Sequence, residues 1–368
     1  MAREHAKLGH KVWVVTSDRY YPFSNYMTAF YKLLGKRLVG SGTRIEEGVK
    51  TIRLKSFEIP ATPLIYLLDL KKTLKNIKPD VIYCHNMFSI TSGRVAYLKS
   101  QIGYKLIYDT HAASFNTNLT NSLPKKIYHF LYQRLAVPKI KKESDAIFAI
   151  GEEEQKFICQ EFNIDKKNVP IIRLGVDIER FVFARKKRDT VRKKLNLSED
   201  DILIVFAGKI FPYKDLHILF RAVKILDDRR IKLLIIGDGD RKYIKRLREM
   251  LPEKNTLIWI PFLLNRELPS YFSGADIGIW PGNPSITMLE AMSCGLPLIL
   301  SRSVGTEYLD ESRAVLWFKR NRSEVLSEQI KKLSYNISTR RKMRSYVRSY
   351  IERKLSWETI AKQTLEII

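Results

Sequence analysis

The chain has 368 residues, 45% of them hydrophobic, which is enough for two domains that each bury their own core. It carries 65 lysine and arginine residues against 39 aspartate and glutamate residues, and the formal net charge of +26 calls for an anionic partner or surface. No apolar run approaches the roughly 20 residues of a membrane-spanning helix, and the first residues lack the pattern of a signal peptide.

The cysteines and the distribution of charge limit the cellular compartment and the class of partner. Cys84, Cys159 and Cys294 stand far apart, without a CxxC pair or a metal-ligand spacing, which favours a reduced, cytoplasmic location. The positive charge is spread over both halves, which fits contact with anionic lipid as well as with nucleic acid. The sequence has no zinc-finger spacing, RNP-type motif or helix-turn-helix pattern, so nucleic acid is not the expected main partner.

Short apolar runs alternate with helical patterns along the N-terminal half. Residues 2–10 predict the end of a helix that Gly9 closes. The strands predicted after it are 11–16, 51–54, 80–84, 105–110 and 145–150, and the helices are 64–77, 90–100, 125–142 and 152–161. This alternation predicts a parallel, doubly wound sheet, in which ligands bind beyond the carboxyl ends of the strands.

Residues 19–37 mix tyrosine and phenylalanine with lysine and arginine. Such a segment can lie in a membrane interface, where aromatic rings and basic side chains meet the lipid headgroups. It can also be a loop and helix that cover the edge of the sheet. The sequence leaves both interpretations open.

Two histidines directly follow predicted strands. His85 comes after the strand at 80–84, and His111 comes after the strand at 105–110. Both therefore stand where a doubly wound sheet places ligand-binding residues. A single histidine in such a place is more often structural than catalytic, and from the sequence we interpret His85 as structural.

The C-terminal half opens with a predicted strand at 201–207, which runs directly into Gly208 and Lys209, and Lys214 precedes the next predicted helix. Two cations around a tight strand-to-helix turn suit a phosphate-bearing ligand, although any surface loop can carry two lysines.

Further strands are predicted at 232–236 and 256–260. The G-x-G at 237–239 follows the first of them but lacks the third glycine of a dinucleotide fingerprint. Asp238 and Asp240 would also repel a pyrophosphate. We therefore interpret this segment as a strand-to-helix turn and expect no NAD.

Residues 275–301, with the sequence ADIGIWPGNPSITMLEAMSCGLPLILS, predict a strand, a tight loop, a helix and a second strand. The backbone N–H groups of Ser285, Ile286 and Thr287 would point out of the N-terminus of this helix, where their partial positive charge favours a phosphate. Glu290 is the acidic residue in the body of the helix and could accept hydrogen bonds from sugar hydroxyls.

Together these residues resemble the signature of the retaining nucleotide-sugar glycosyltransferases of family four, which have the GT-B fold. Residues 285–297 follow the family phrase closely, and Glu290 matches the second of its two spaced glutamates. Gly282 occupies the position of the first glutamate, a departure that bears on the donor sugar more than on the reaction class. The resemblance covers nearly the whole chain and implies an α/β fold of two Rossmann-like, doubly wound domains facing across a cleft.

The resemblance implies a role for each candidate residue. Glu290 would bind the ribose hydroxyls, and Lys209 and Lys214 would bind the diphosphate. His111 matches a family histidine that hydrogen bonds the donor hexose, and it joins those three residues in the expected catalytic group. No metal and no cofactor are expected, because the lysines supply positive charge and the nucleotide sugar is a co-substrate. The residues expected to bind the donor are Lys209, Lys214, Gly208, Phe262 near the nucleobase, Gly282, Ser285, Ile286, Thr287 and Glu290.

Three segments are expected from the resemblance: an acceptor-side domain at 1–185, a donor-binding domain at 186–350, and a helix at 351–368 that packs back on the first domain. The charged run 185–194 suits a solvated linker and helix. Family members begin with a strand and a Gly-Gly turn that this sequence lacks. Either Met1 is an internal methionine of a longer protein or the chain lacks its central strand. We favour the first, because losing a central parallel strand would leave the backbone of two neighbours unpaired.

The expected function is transfer of a sugar from a nucleoside diphosphate sugar to an acceptor hydroxyl, with retention at the anomeric carbon. The basic, aromatic N-terminal half favours a lipid-linked or cell-surface glycan as acceptor, and peripheral contact with the inner face of the cell membrane. Two alternatives stay open. One is a nucleotide-sugar 2-epimerase, which would need further carboxylates, and the other is a catalytically inactive binding or scaffold protein of the same fold.

Overall fold

The computed structural model describes residues 1–22, 26, 31–59, 64–117, 121–250, 257–261, 263–302 and 305–367. The chain divides into an N-terminal unit of Met1–Arg173 with Ile360–Ile368 and a C-terminal unit of Leu174–Thr359. The division therefore falls before residue 185, where the sequence places the end of the first domain. Phe262 lies outside the described residues, as do parts of the aromatic segment 19–37.

The N-terminal unit begins with a short helix and then alternates strands with helices. Its helices are α1 (Ala2–Lys7), α2 (Tyr31–Leu34), α3 (Leu70–Ile77), α4 (Ile90–Ile102), α5 (Leu123–Leu135), α6 (Val137–Glu143) and α7 (Glu152–Phe162). Its strands are β1 (Trp13–Ser17), β2 (Gly42–Glu46), β3 (Val49–Leu54), β4 (Ser56–Glu58), β5 (Ile65–Leu67), β6 (Val81–His85), β7 (Lys105–Thr110) and β8 (Ala146–Ala149).

The strands of the N-terminal unit form separate sheets over a shared core. One sheet has the order β1-β3-β2, with β2 antiparallel, and another has the parallel order β6-β7-β8. Among the described strands, β1 and β6 each have one hydrogen-bonded neighbour. Val15 and Ile52 of the first sheet nevertheless pack against the cluster that contains Leu106 and Tyr108 of the second. The shared apolar core therefore holds the two sheets in one unit.

Two helices predicted in the N-terminal half differ in the structure. The prediction of a helix over 64–77 is wrong at its start, because Ile65–Leu67 is a strand antiparallel to β4 and the helix begins at Leu70. The helix predicted over 125–142 is two helices. Pro138 has no backbone N–H to continue a helix but fits the first turn of α6, so α5 ends before it.

The C-terminal unit contains the larger sheet. Its strands are β9 (Ile202–Ala207), β10 (Ile231–Ile236), β11 (Leu257–Ile260), β12 (Ile277–Trp280), β13 (Leu298–Ser301) and β14 (Val315–Phe318). They are all parallel, in the order β11-β10-β9-β12-β13-β14, so the sheet is doubly wound, as the fold class expected from the sequence requires. The apolar runs of the four inner strands are almost entirely buried, as expected of a parallel sheet between helices, whereas the edge strands β11 and β14 are mostly half-buried.

Helices cover this sheet and end the chain. They are α8 (Arg185–Lys194), α9 (Leu216–Leu226), α10 (Arg241–Glu249), α11 (Leu268–Gly274), α12 (Ile286–Ser293), α13 (Ser323–Tyr335), α14 (Ile337–Lys354) and α15 (Trp357–Glu366). The end of α15 belongs to the N-terminal unit, where Thr364 Oγ1 lies 2.9 Å from His5 Nε2. Within the described ranges, no helix has the length and apolar character needed to span a bilayer.

The charged helix α8 is not fully solvated, contrary to the sequence-based interpretation. Arg188 and Arg192 reach the carboxylate of Asp276 with N···O distances of 2.8 and 3.0 Å, and all three side chains are largely buried. The same carboxylate accepts the backbone N–H of Leu203 at 2.9 Å. A buried carboxylate whose oxygens are all bonded holds its partners firmly. Asp276 thus attaches α8 to the sheet.

Candidate functional site

The C-terminal sheet reverses its strand order between β9 and β12, and doubly wound proteins bind ligands at such a reversal. The two strand ends meet at the carbonyl oxygen of Ala207, the last residue of β9. This oxygen accepts hydrogen bonds from Trp280 Nε1 at 3.0 Å and from Thr287 Oγ1 at 2.6 Å. The end of β9 is thereby attached both to β12 and to the first turn of α12.

Glycines let the loops after β9 and β10 approach closely. Gly208 has a φ of +151° and Gly237 a φ of +143°, and a Cβ atom on Gly237 would overlap the carbonyl oxygen of Gly208. A Cβ atom on Gly239 would overlap the backbone of Ile210 in the same way. The turn at Gly208, one of the predicted donor-binding residues, therefore presents backbone atoms rather than a side chain.

The first turn of α12 lies against this turn. The Ser285 hydroxyl does not cap the helix but pairs with Thr287 Oγ1 at 2.9 Å, and Ser285 Oγ lies 3.5 Å from the Cβ position of Gly208. The N–H groups of a first helical turn have no acceptors inside the helix and carry partial positive charge. Ile286 and Thr287 supply these groups, so the structure brings the predicted phosphate-binding amides next to Gly208.

Lys214 is buried at the end of a short 3₁₀ helix, Pro212–Lys214, after β9. Its ammonium donates hydrogen bonds to the carbonyl oxygens of Asn283 at 2.9 Å and Pro284 at 2.7 Å. Burial, together with the charge of Lys209, lowers the pKa of Lys214 to about 8. An anion bound near this ammonium would favour its charged form again. Lys209 itself is exposed.

Gly282 lies in the loop after β12, directly against the backbone of the loop after β9. A Cβ atom at this position would lie 2.5 Å from the carbonyl carbon of Lys214 and 2.7 Å from its Cα atom. The N–H of the next residue, Asn283, donates to the carbonyl oxygen of Tyr213 at 3.0 Å and keeps the two loops together. No side chain fits this backbone, which explains why the first glutamate of the family pattern is absent here.

Glu290 lies on α12 and is buried. Its Oε1 accepts a hydrogen bond from Asn265 Nδ2 at 2.9 Å, while its Oε2 has no hydrogen-bond partner among the described residues. Burial raises the pKa of the Glu290 carboxyl, although the bond from Asn265 and the charge of Arg180 oppose the rise. A carboxylate with an unsatisfied oxygen can accept another hydrogen bond, and a ligand hydroxyl is a suitable donor.

Asn265 is a site residue that sequence analysis missed. Its side-chain oxygen accepts a hydrogen bond from Arg180 NH1 at 3.3 Å, and its amide nitrogen donates to Glu290. The chain of hydrogen bonds from Arg180 through Asn265 holds one side of the Glu290 carboxylate. No motif marks Asn265, because its partner lies 25 positions away and only the folded chain brings the two together.

In the N-terminal unit, His85 and His111 lie together at the carboxyl ends of β6 and β7. Their ring centroids are 6.4 Å apart, and both rings reach the carboxylate of Asp109. His85, interpreted from the sequence as structural, is solvent-exposed, as His111 is. The sequence therefore located the strand ends but missed Asp109, the residue that joins them.

The ligand atoms of His85, Asp109 and His111 lie within 4.8 Å of one another, a separation that a metal ion could bridge. The carboxylate oxygens of Asp109 already accept hydrogen bonds from both rings, from the Tyr83 hydroxyl and from the N–H of Asn86. Hydrogen bonding therefore accounts for the cluster.

Two family models match the chain. "Glycosyltransferase Family 4" matches residues 1–180, and "Glycosyl transferases group 1" matches residues 187–350. An uncharacterised glycosyltransferase of Methanocaldococcus jannaschii is 24% identical over 79% of this chain and 75% of its own length. A protein of Escherichia coli named UDP-Gal:α-D-GlcNAc-diphosphoundecaprenol α-1,3-galactosyltransferase is 26% identical over 66% of this chain and 63% of its own length.

Solved structures agree on the fold. HepE of Anabaena, in a crystal structure with UDP, has a TM-score of 0.71 at 16% identity, over 97% of this chain and 99% of its own. WaaG, a glycosyltransferase involved in lipopolysaccharide biosynthesis, has a TM-score of 0.63 at 15% identity, over 97% of this chain and 99% of its own. The fold is that of the GT-B glycosyltransferases, with two α/β units.

The chain belongs to glycosyltransferase family 4, with the group 1 domain in its C-terminal half. It is a glycosyltransferase that acts on nucleotide sugars.

We predict that Gly282→Ala destabilises the protein by about 1–3 kcal/mol, the usual cost of inserting a methyl group where the structure has no room. The methyl group would meet the backbone of Lys214, which moves less easily than a side chain. Urea unfolding of both proteins measures the effect. The neighbouring Asn283→Ala keeps the backbone contact and should change the free energy of unfolding by no more than about 0.5 kcal/mol. Equal effects of the two substitutions would contradict the packing argument.

We predict that binding of a nucleoside diphosphate beside Lys214 takes up a proton near pH 8, because the diphosphate favours the charged form of Lys214, whose pKa is lowered to about 8. Below that pH the ammonium is already charged, and the affinity for the nucleoside diphosphate should fall as the pH rises through it. Calorimetry in buffers of different ionisation enthalpy measures the uptake. Lys209→Met removes a repelling charge and should move the uptake to higher pH. Proton uptake that ignores this substitution would rule out Lys214 as its source.

Proposed function

We propose that the C-terminal unit binds the nucleoside diphosphate of a sugar donor where the strand order reverses, and that the enzyme transfers the sugar to an acceptor hydroxyl with retention. One observation carries the proposal. The buried Lys214 lies against the loop that leads into α12, and the same helix carries Glu290, whose Oε2 lacks a partner among the described residues. Positive charge for phosphates and an acceptor for hydroxyls are what a nucleotide requires.

Each part of the donor has a proposed partner. The amides of Ser285, Ile286 and Thr287 bind the distal phosphate, and Glu290 accepts hydrogen bonds from the ribose hydroxyls. Lys209 and Lys214 bind the diphosphate beside the Gly208 turn, and His111 hydrogen bonds the hexose. Phe262, near the nucleobase, is proposed from the sequence resemblance alone.

The proposed chemistry needs charge stabilisation more than a separate base. As the bond between the anomeric carbon and the phosphate oxygen breaks, its electron pair goes to that oxygen, and the lysines and helix amides stabilise the developing charge. The acceptor hydroxyl forms the new bond on the same face of the sugar. Its proton passes to the leaving phosphate oxygen, so the reaction balances without another group.

The first experiment is a thermal-shift panel of UDP, GDP, ADP, dTDP and their sugars. UDP is tested first because the Escherichia coli relative is named for UDP-galactose and HepE was solved with UDP. A ligand at a hundred times its dissociation constant should stabilise the protein by about 2.7 kcal/mol. Glu290→Gln keeps the shape of the side chain and loses one carboxylate oxygen. It should therefore weaken binding of the nucleotide that gives the thermal shift by about 1.5–3 kcal/mol. A full-length protein that responds to none of these ligands would contradict the proposal and favour a binding protein without turnover.

We further propose that the acceptor is a lipid-linked or cell-surface glycan and that α5 rests on an anionic membrane. Leu123 is 70% exposed and Phe130 is 56% exposed, and with Ile127, Leu131 and Leu135 they follow helical spacing along α5. The helix has several basic residues and no acidic one. An exposed apolar stripe on a basic helix suits the interface of anionic lipid.

We predict that the protein floats with vesicles of anionic phospholipid at low salt and that the double variant Ile127→Ser, Phe130→Ser floats at least tenfold less. Each side chain withdrawn from the interface loses about 1.5–3 kcal/mol of apolar burial. Ile337→Ser, at an exposed isoleucine of α14 in the C-terminal unit, is the matched control and should float like the wild type. Absence of wild-type binding, or equal loss in the control, would reject α5 as the contact.

A further inference from the structure

One buried carboxylate connects two histidines in the N-terminal unit. Asp109 Oδ2 lies 2.7 Å from His85 Nδ1 and 3.4 Å from His111 Nε2, and it accepts the Tyr83 hydroxyl at 3.1 Å. Oδ1 accepts the N–H of Asn86 at 3.1 Å. His85 and Asp109 are direct partners in the register of β6 and β7, so the pairing of these strands sets the arrangement.

The three side chains differ sharply in exposure. The side chain of Asp109 is 3% exposed, whereas those of His85 and His111 are 61% and 47% exposed. A ligand can therefore reach the rings but has almost no access to the carboxylate. Burial disfavours its charged form, yet hydrogen bonds from His111 and His85 and the charges of these rings hold the pKa of Asp109 well below its usual range. Asp109 is thus ionised at neutral pH.

An ionised carboxylate only accepts hydrogen bonds, which decides the positions of the ring protons. His85 must carry a proton on Nδ1, and His111 must carry one on Nε2. In the neutral rings, the acceptor nitrogens are then His85 Nε2 and His111 Nδ1, the two atoms that do not face Asp109. The carboxylate therefore fixes opposite tautomers in the two neighbouring rings. A hydrogen bond to one ring nitrogen sets the tautomer of catalytic histidines in the same way.

We propose that Asp109 is a positioning residue that fixes His85 and His111 in opposite tautomers, and that His85 binds hydroxyls of the transferred sugar together with His111. This inference rests on the proposed function, because it assigns the ligand class from the sugar-binding role of His111. Two acceptor nitrogens on rings 6.4 Å apart suit two hydroxyls of one sugar. Protonated rings would donate to the same oxygens instead.

The charges around His111 give a second consequence. The groups that face it are Asp109 and His85 at the strand ends and Glu154 on α7. Burial opposes protonation, but the hydrogen bond and charge of Asp109, with the charge of Glu154, raise the pKa of His111 above its usual value. Removing the charge of Asp109 should therefore lower it.

The test is a nitrogen-15 NMR titration of the full chain labelled at histidine. In the wild type, the spectrum at high pH should show His85 as the Nδ1–H tautomer and His111 as the Nε2–H tautomer. Asp109→Asn should mix the tautomers of both rings and lower the pKa of His111. His217, which pairs with the Tyr243 hydroxyl in the C-terminal unit, is the internal control and should not change.

The wild-type spectrum tests the positioning role of Asp109 even if Asp109→Asn does not fold. An Nε2–H tautomer of His85 or an Nδ1–H tautomer of His111 would overturn the proposal. Binding of one Zn²⁺ that is lost in both His85→Ala and His111→Ala would overturn it as well, since the cluster would then be a metal site.

Sugar contact is tested with UDP-glucose and UDP as separate probes. His85→Ala should weaken the binding of UDP-glucose roughly two- to tenfold, which is the effect of one hydrogen bond, and leave the affinity for UDP unchanged. His129→Ala, at a histidine of α5 that pairs with Glu161, is the matched control and should leave both unchanged. Equal weakening of both probes by His85→Ala would assign it a structural role and overturn the proposal. Failure of the wild type to bind either probe would instead contradict the donor assignment, while the tautomers would still decide the role of Asp109.

Discussion

The contact between two loops of the C-terminal unit controls the geometry of its candidate site. Lys214 donates hydrogen bonds from the loop after β9 to two carbonyl oxygens of the loop after β12, and Gly282 lies flat against the Lys214 backbone. This contact fixes where α12 begins, and therefore where its first N–H groups and Glu290 lie. It also buries a lysine whose ammonium is stabilised by two backbone carbonyl oxygens and lies 5.5 Å from the centroid of the Tyr213 ring.

The same contact explains how this chain departs from its family. A glutamate at 282 would bring a Cβ atom into the backbone of Lys214, so the carboxylate of the family pattern and the close loop contact exclude one another. Glu290 remains as the acidic residue of the signature, with Asn265 bonded to one of its oxygens. The loop after β12 therefore carries one carboxylate fewer than the family pattern.

In the N-terminal unit, too, a buried charged group positions exposed side chains. Its parallel strands β6 and β7 end side by side, and their register places Asp109 opposite His85. The carboxylate is buried, whereas both rings are exposed and within reach of a ligand. In both units, a buried charged group held by several hydrogen bonds positions the atoms that face solvent, which keeps them in place before any ligand arrives.

The sequence by itself determined the alternation of strands and helices and the positions of Glu290 and the Ser285 helix start, because these follow from local periodicity and from turn residues. That alternation and the family resemblance together gave the doubly wound class of the two domains, but not the order of the strands. It did not determine that Ile65–Leu67 is a strand, that α5 ends before α6, or that Arg188 and Arg192 are buried on Asp276. Nor did it reveal Asn265 beside Glu290 or Asp109 between two histidines. Those features depend on strand register and on residues distant in sequence packing together, and only the tertiary structure sets either of them.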